Sequence, residues 1–166
     1  MKREKEECIT STPPSNLGSV VIDANVLIGI CAKEKDKFVK ARDALNDYAK
    51  AGWVFYAPGV AIGEVLYVLC GKLQNGALTV AEHDQAVKSF EAQMKAVLPP
   101  PDGDAGVIAK AEEIRQGYGC GRSADSIYLA LAWELAQSDT TELLTFDQDL
   151  QKQAAKKAPS IKINLL

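Results

Sequence analysis

The first strong pattern in the chain is an apolar run that begins near residue 19 and ends in an acid. Residues 19–22 are Ser-Val-Val-Ile, Asp23 follows directly, and a second apolar run starts at Val26. β-Branched residues without polar alternation are typical of a strand buried on both faces of a parallel sheet. Asp23 then lies at the carboxyl end of that strand, where ligands bind in open α/β sheets. Taken alone, its carboxylate either caps the next helix or holds a ligand such as a metal ion.

Helical and strand-like patterns alternate along the rest of the chain. Apolar residues recur every three to four positions in stretches that predict helices over about 36–50, 60–73, 79–98, 104–116 and from Ser123, with a short basic helix after Asp147. Aromatic and β-branched runs predict strands over 53–57, 142–146 and 161–165. Strands separated by helices indicate an α/β domain with a largely parallel sheet of about five strands flanked by helices.

Three polar residues are predicted to cap these helices. Thr79 with Glu82 three positions later has the form of a capping box. Asp104 and Ser123 precede the helices that end near Gln116 and contain Ile127, so each is predicted to be an N-cap residue.

The chain is predicted to consist of a short tail and one domain. Residues 1–18 are charged and then rich in Ser, Thr and Pro, which predicts a flexible tail, and residues 19–166 suit a single core. No apolar run reaches the roughly 18 residues of a membrane span, and no secretory apolar segment follows the first residues. We therefore expect a cytoplasmic protein that does not contact a membrane.

Charge, cysteine and histidine content exclude several classes of site. A formal net charge of −3 argues against a broad basic face that coats nucleic acid, although a bound cation could still bring a phosphodiester to a local acidic pocket. The four cysteines form no CxxC pair, so a zinc site or disulfide framework is not indicated. Cys31 and Cys70 are predicted to be core residues. His83, the sole histidine, lies in a polar stretch and is predicted to be solvated, which disfavours a Ser-His-Asp triad.

Besides Asp23, three acids occupy positions that need an explanation: Glu64, Asp125 and Asp147. Glu64 is the only charge in the run 60–70, so it either faces the one polar strip of a helix or is buried with a distant partner or a metal. Asp125 lies in the first turn of a helix, where the helix dipole alone would favour it. Asp147 ends a second apolar strand. Asp149, two residues later, serves either as a helix N-cap or as a hydrogen-bond acceptor that supports the site.

The positions of these acids are related through the predicted sheet. Asp23 and Asp147 follow two strands, while Glu64 and Asp125 lie on helices that such a sheet brings over the same edge. Clustered carboxylates repel one another unless a cation is present, and oxygen ligands favour Mg²⁺ or Mn²⁺. This set suits metal-assisted hydrolysis of a phosphodiester.

Four short motifs occur between residue 19 and the C-terminus, at 21–28 (VIDANVLI), 63–65 (GEV), 123–130 (SADSIYLA) and 144–150 (LTFDQDL). In sequence and order they resemble the PIN domain nucleases, particularly the toxins of VapBC-type toxin–antitoxin pairs. One departure is Ala24, where many relatives carry Thr or Ser. The tail and the helix predicted over 79–98 are not part of the family's minimal pattern and are candidate partner interfaces.

The resemblance implies an activity and assigns roles to residues. It implies a ribonuclease that depends on Mg²⁺ or Mn²⁺, an RNA substrate, a possible antitoxin partner and a possible homodimer. It further implies metal binding and catalysis by four acids, with support from three other residues: Asp23, Glu64, Asp125 and Asp147, then Asn25, Thr145 and Asp149. Arg122, just before a helix, either meets substrate phosphate or is an ordinary exposed arginine.

Three other functions remain open from the sequence. A non-catalytic PIN-like interaction module would keep the acids only as helix caps. A phosphatase or phosphoacceptor using Asp23 as nucleophile is disfavoured because no acid stands two residues after it. A nicotinamide-binding fold is weaker, since no GxGxxG follows the first strand.

Overall fold

The computed structural model describes residues 17–117, 120 and 123–166. Its strands are β1 (Ser19–Ile22), β2 (Val54–Tyr56), β3 (Val97–Leu98), β4 (Thr141–Thr145) and β5 (Lys162–Leu165). Its helices are α1 (Ala24–Cys31), α2 (Phe38–Lys50), α3 (Val60–Gln74), α4 (Val80–Met94), α5 (Gly103–Gly106), α6 (Ile108–Arg115), α7 (Ser123–Leu135) and α8 (Gln148–Lys157).

The strands form one parallel sheet in the order β3-β2-β1-β4-β5. The chain moves from β1 to β2 and β3 in one direction, then returns to β4 on the other side of β1. Because parallel crossovers are right-handed, α1–α4 cover one face of the sheet and α5–α8 the other. Packing agrees, since α1 contacts α2, α3 and α4, while α7 contacts α6, β1 and β4. The fold class predicted from the sequence is confirmed.

The two central strands carry the core. Every residue of β1 and β4 is buried, including three at the middle of the sheet that have no exposed surface: Val20, Val21 and Leu143. Helix α7 adds Leu129 and Leu131, and α3 adds Val65 and Leu69. This burial explains the apolar run over residues 20–22 of β1. Strand β4 differs, because it buries Thr141, Glu142 and Thr145 beside its two leucines.

The predicted helix over 79–98 is too long. Helix α4 ends at Met94, and Val97–Leu98 forms the edge strand β3, paired with Phe55 and Tyr56. A proline disfavours helical backbone angles at the residue before it. Leu98 precedes Pro99, which explains why the backbone of Leu98 is extended. The capping box that begins α4 is confirmed, since the Thr79 amide donates to Glu82 Oε2 at 2.8 Å and the Glu82 amide to Thr79 Oγ1 at 3.3 Å.

Two other predicted caps have different roles. Asp104 lies within α5, and its Oδ1 accepts a 2.8 Å hydrogen bond from the Gly59 amide at the start of α3. It therefore satisfies a helix terminus that is distant in sequence. Helix α7 begins at Ser123 itself, and the Ser123 hydroxyl donates to the Cys120 carbonyl at 2.7 Å.

The cysteine predictions are half right. Cys31 is buried in α1, where burial raises the pKa of its thiol to about 11. Cys70 is exposed on α3, so its assignment to the core is wrong; Val65 and Leu69 occupy the buried side of that helix instead. His83 is half-buried rather than fully solvated.

The ends of the predicted domain are only partly described. Residues 1–16 of the predicted tail lie outside the described residues, whereas the Gly18 carbonyl accepts a 3.0 Å bond from Val54 beside the sheet. Among the described helices, none combines the length and the apolar character needed to cross a membrane.

Candidate functional site

The site begins where β1 and β4 end side by side. Ile22 pairs with Leu144, and the Asp23 amide donates a 3.0 Å hydrogen bond to the Leu144 carbonyl. This register sets Asp23 beside Thr145, the next residue of β4. The chain leaves β1 and β4 toward opposite edges of the sheet, so the crevice between them is a topological switch point, the usual ligand position in such folds.

The Asp23 carboxylate is held by two neighbours. Oδ2 accepts hydrogen bonds from Thr145 Oγ1 at 2.6 Å and from Asn25 Nδ2 at 2.7 Å. From the described residues, Oδ1 accepts only a long 3.4 Å bond from the Asn25 amide, through which Asp23 caps α1. The carboxylate is therefore fixed through one oxygen, and the second retains capacity for a ligand.

Asn25 and Thr145 also join the two strand ends to each other. Asn25 Nδ2 donates to Thr145 Oγ1 at 3.1 Å, and Asn25 Oδ1 accepts from the Phe146 amide at 3.0 Å. Thr145 Oγ1 accepts from the Asp147 amide at 2.9 Å. A single polar network thus links the start of α1 to the loop before α8.

Asp23 lies in an environment that penalises its charge. The residue is only 7% exposed, and burial raises the pKa of its carboxyl to about 6. Hydrogen bonds from Thr145 and Asn25 oppose this rise, whereas the negative charges of Glu64 and Asp125 add to it. The charges of Glu64 and Asp125 therefore act on Asp23 from α3 and α7.

Glu64 has a partner that the sequence analysis missed. It is half-buried on α3, and its Oε2 accepts a 2.6 Å hydrogen bond from the Tyr128 hydroxyl on α7. Tyr128 is 1% exposed, and burial, followed by this bond, raises the pKa of its phenol. The available signal was a phenol hydroxyl among the buried residues of α7, because a buried hydroxyl needs a partner.

The remaining candidates occupy less buried positions. Asp125 is half-buried in the first turn of α7. Asp147 is half-buried and caps α8, accepting from the Asp149 amide at 2.7 Å and the Leu150 amide at 3.3 Å. Asp149 is exposed and pairs with Lys152 at 2.9 Å. Arg122 lies outside the described residues.

Comparison with known proteins identifies the family. The PIN domain model matches residues 20–157, which is most of the chain. The chain belongs to the PIN domain family. PIN domains are generally nucleases that use divalent metal ions.

The VapBC2 complex from Rickettsia felis bound to a DNA fragment from their promoter is a solved structure with this fold. It shows 12% identity, a TM-score of 0.57, and coverage of 89% of this chain and 98% of that chain. PAE2754 from Pyrobaculum aerophilum is 20% identical, with a TM-score of 0.47 and coverage of 86% and 88%. No curated protein sequence gives a significant match.

The donor set of this PIN domain suits a hard divalent cation. Asp23 and Glu64 offer carboxylate oxygens, and the repulsion among the acids is what a cation would relieve. Within residues 17–117, 120 and 123–166, no three His, Cys, Asp or Glu side chains are already grouped as metal ligands. The four-acid metal site therefore stays a prediction, for which Asp23 is the fixed starting point.

Proposed function

We propose that this PIN domain is an endoribonuclease that hydrolyses RNA phosphodiester bonds with the help of Mg²⁺ or Mn²⁺. The observation that carries the proposal is the buried Asp23 carboxylate at the β1/β4 switch point, repelled by Glu64 and Asp125. Among the described residues no Lys or Arg pairs with Asp23. A buried acid without a cationic partner costs free energy, so its presence needs a reason beyond stability. Family membership supplies the class of reaction.

Four residues would hold the cation: Asp23, Glu64, Asp125 and Asp147. A bound ion would activate a water molecule and stabilise charge on the leaving oxygen. Asn25 and Thr145 orient Asp23, because both donate to Oδ2. Oδ1 then remains to bind the cation. Asp149, two residues after Asp147, has a supporting role, and Arg122 stays a candidate contact for substrate phosphate.

The biological setting is part of the proposal. We infer that the chain is the toxin of a type II toxin–antitoxin pair, acts in the cytoplasm, binds an antitoxin protein and forms a homodimer. The PIN family and a fold shared with a VapBC2 complex support this inference. A neighbouring gene for a small DNA-binding protein, whose product co-purifies with this chain, is the expected finding. If expression of this chain arrests cell growth and co-expression of the second protein does not relieve the arrest, the pairing is contradicted.

Cleavage of single-stranded RNA tests the activity. The wild type is expected to cut RNA with Mn²⁺ and to lose that activity in EDTA. Asp23→Asn is expected to abolish cleavage, whereas Asp84→Asn, an exposed acid on α4 whose side chain is 67% exposed, should cut as the wild type does. Undiminished cleavage by Asp23→Asn would reject the site.

One observation favours a second candidate, a non-catalytic interaction module. Asp23 and Asp147 both cap helices, a role that needs no metal. Such a module predicts no change in melting temperature with Mn²⁺, whereas a metal site stabilises the folded state by mass action. An increase in melting temperature that is lost in Asp23→Asn would exclude the module.

A further inference from the structure

The geometry points to Tyr128 as a positioning residue that holds Glu64 in place beside Asp23 for cation binding. This role rests on the proposed metal-dependent function and adds a residue that carries no carboxylate. It connects α7 to α3 across 64 positions of sequence.

The Tyr128 phenol is itself rigidly held. The residue is 1% exposed, and its helix packs on β1, which ends just before Asp23, and on β4, which ends with Thr145. Its neighbours Leu129 and Leu131 have no exposed surface. The tyrosine ring has few rotatable bonds and no room to turn. Its hydroxyl can therefore fix the position of a more mobile side chain that it contacts.

The Glu64 side chain is the more mobile partner. It is half-buried on α3, and in the described part of the chain its one hydrogen bond is the 2.6 Å contact from Tyr128 to Oε2. Asp23 repels its charge, so a Glu64 side chain without this bond would gain by turning toward solvent. The bond to a carboxylate is charge-assisted and opposes that movement.

Tyr128 also lies on the correct side of its helix. It follows Asp125 by three positions, and residues so spaced are neighbours on a helix surface. Its hydroxyl interacts with the Asp23 charge and with the Ala24 backbone as well as with Glu64. The hydroxyl thus stands at the junction of the β1 end, α3 and α7, and one Glu64 oxygen remains for a cation.

Mn²⁺ binding to the full chain by isothermal titration calorimetry tests this role. Tyr128→Phe keeps the ring and is expected to bind Mn²⁺ about 10- to 100-fold more weakly than the wild type, the range found when a partner of a metal ligand is removed. Tyr67→Phe is the matched control, because Tyr67 lies on α3 and is 81% exposed. It should bind as the wild type does.

A double-mutant cycle separates this role from general damage. In a Glu64→Gln background, Tyr128→Phe is expected to cause little further loss of Mn²⁺ affinity, because the hydroxyl acts through Glu64. An equal loss in both backgrounds, or wild-type affinity in Tyr128→Phe, would overturn the role while leaving the proposed function intact. A wild type that binds no Mn²⁺ would instead overturn the proposed function and this role together.

Discussion

The Thr145 hydroxyl donates a 2.6 Å hydrogen bond to Oδ2 of Asp23 and so fastens the ends of β1 and β4 together. The bond follows directly from strand register. Ile22 pairs with Leu144, so the residues that follow them, Asp23 and Thr145, lie side by side. Thr145 is completely buried. The same hydroxyl accepts from the Asp147 amide, so one side chain connects two of the proposed ligands.

Removing this hydroxyl should destabilise the protein. Thr145→Val preserves the shape but leaves Asp23 Oδ2 with one donor fewer and the Asp147 amide without its acceptor. We expect a loss of about 1–3 kcal/mol in the free energy of unfolding, measured with urea. Thr141→Val is a suitable control on the same strand, because its hydroxyl makes a 3.3 Å bond to the nearby Asp139 carbonyl and should contribute less. Equal losses in both variants would contradict the special role of Thr145.

The charge of Asp23 should make the metal-free protein less stable as pH rises. Its pKa of about 6 in the folded state lies above the ordinary 3.8, so the folded state binds the proton more tightly than the unfolded state. Below about pH 4 both states are protonated and the penalty is absent, whereas above about pH 6 it is fully present. The shift corresponds to roughly 3 kcal/mol at most.

Asp23→Asn should therefore be more stable than the wild type at pH 7.5 in EDTA and similar to it at pH 3.5. Urea unfolding at the two pH values measures this difference, with Asp84→Asn as the control that should not show it. A mutant that is less stable than the wild type at pH 7.5 would show that the Asp23 charge is not penalised by its surroundings.

A second polar network, distant from Asp23, should contribute to stability alone. The Glu142 carboxylate is buried on β4 and accepts from the Tyr48 hydroxyl and Lys162 Nζ, while Asn164 Nδ2 donates to the Tyr48 hydroxyl at 2.8 Å. Tyr48→Phe should lower the free energy of unfolding by about 1–3 kcal/mol, because it removes the hydroxyl that donates to the buried Glu142 carboxylate and accepts from Asn164. It should not change Mn²⁺ affinity, and Tyr67→Phe should change neither quantity.

Glycine substitutions should separate close packing from helix propensity. A Cβ added at Gly18 would stand 2.7 Å from the Thr140 carbonyl oxygen and 2.8 Å from Trp53 Cζ3, so Gly18→Ala should destabilise by about 1–3 kcal/mol. A Cβ at Gly71, inside α3, meets nothing within 4 Å, so Gly71→Ala should stabilise by up to about 1 kcal/mol. Thermal melts of both variants measure the contrast. A Gly18→Ala protein as stable as the wild type would contradict the close approach.

The sequence predicts the elements whose patterns are local. The apolar run over residues 20–22 indicates β1 and places Asp23 at its end, because a strand buried on both faces has few polar positions. The capping box of α4 is visible because both of its partners lie within four residues. Strand β3 is not predicted, because two residues are too few to show a period. Pro99 suggests a helix end near residue 98, whereas α4 already ends at Met94.

The contacts that the sequence did not reveal join distant segments. Tyr128 looks like one more core residue of an apolar helix until α3 is placed against it, and Asp104 looks like a cap for its own helix until Gly59 approaches. Cys70 was placed in the core because its neighbours are apolar, yet the exposed side of α3 is itself apolar, with Ile62, Leu66 and Tyr67. Periodicity alone could not assign that side of α3 to solvent.

The most direct test of the central claim is an anomalous diffraction map from crystals of this protein soaked in Mn²⁺. The account predicts a manganese peak in the crevice between the ends of β1 and β4, in direct contact with Asp23 Oδ1 and a Glu64 oxygen. A fully soaked crystal with no peak in that crevice, or with manganese bound only elsewhere, would contradict it.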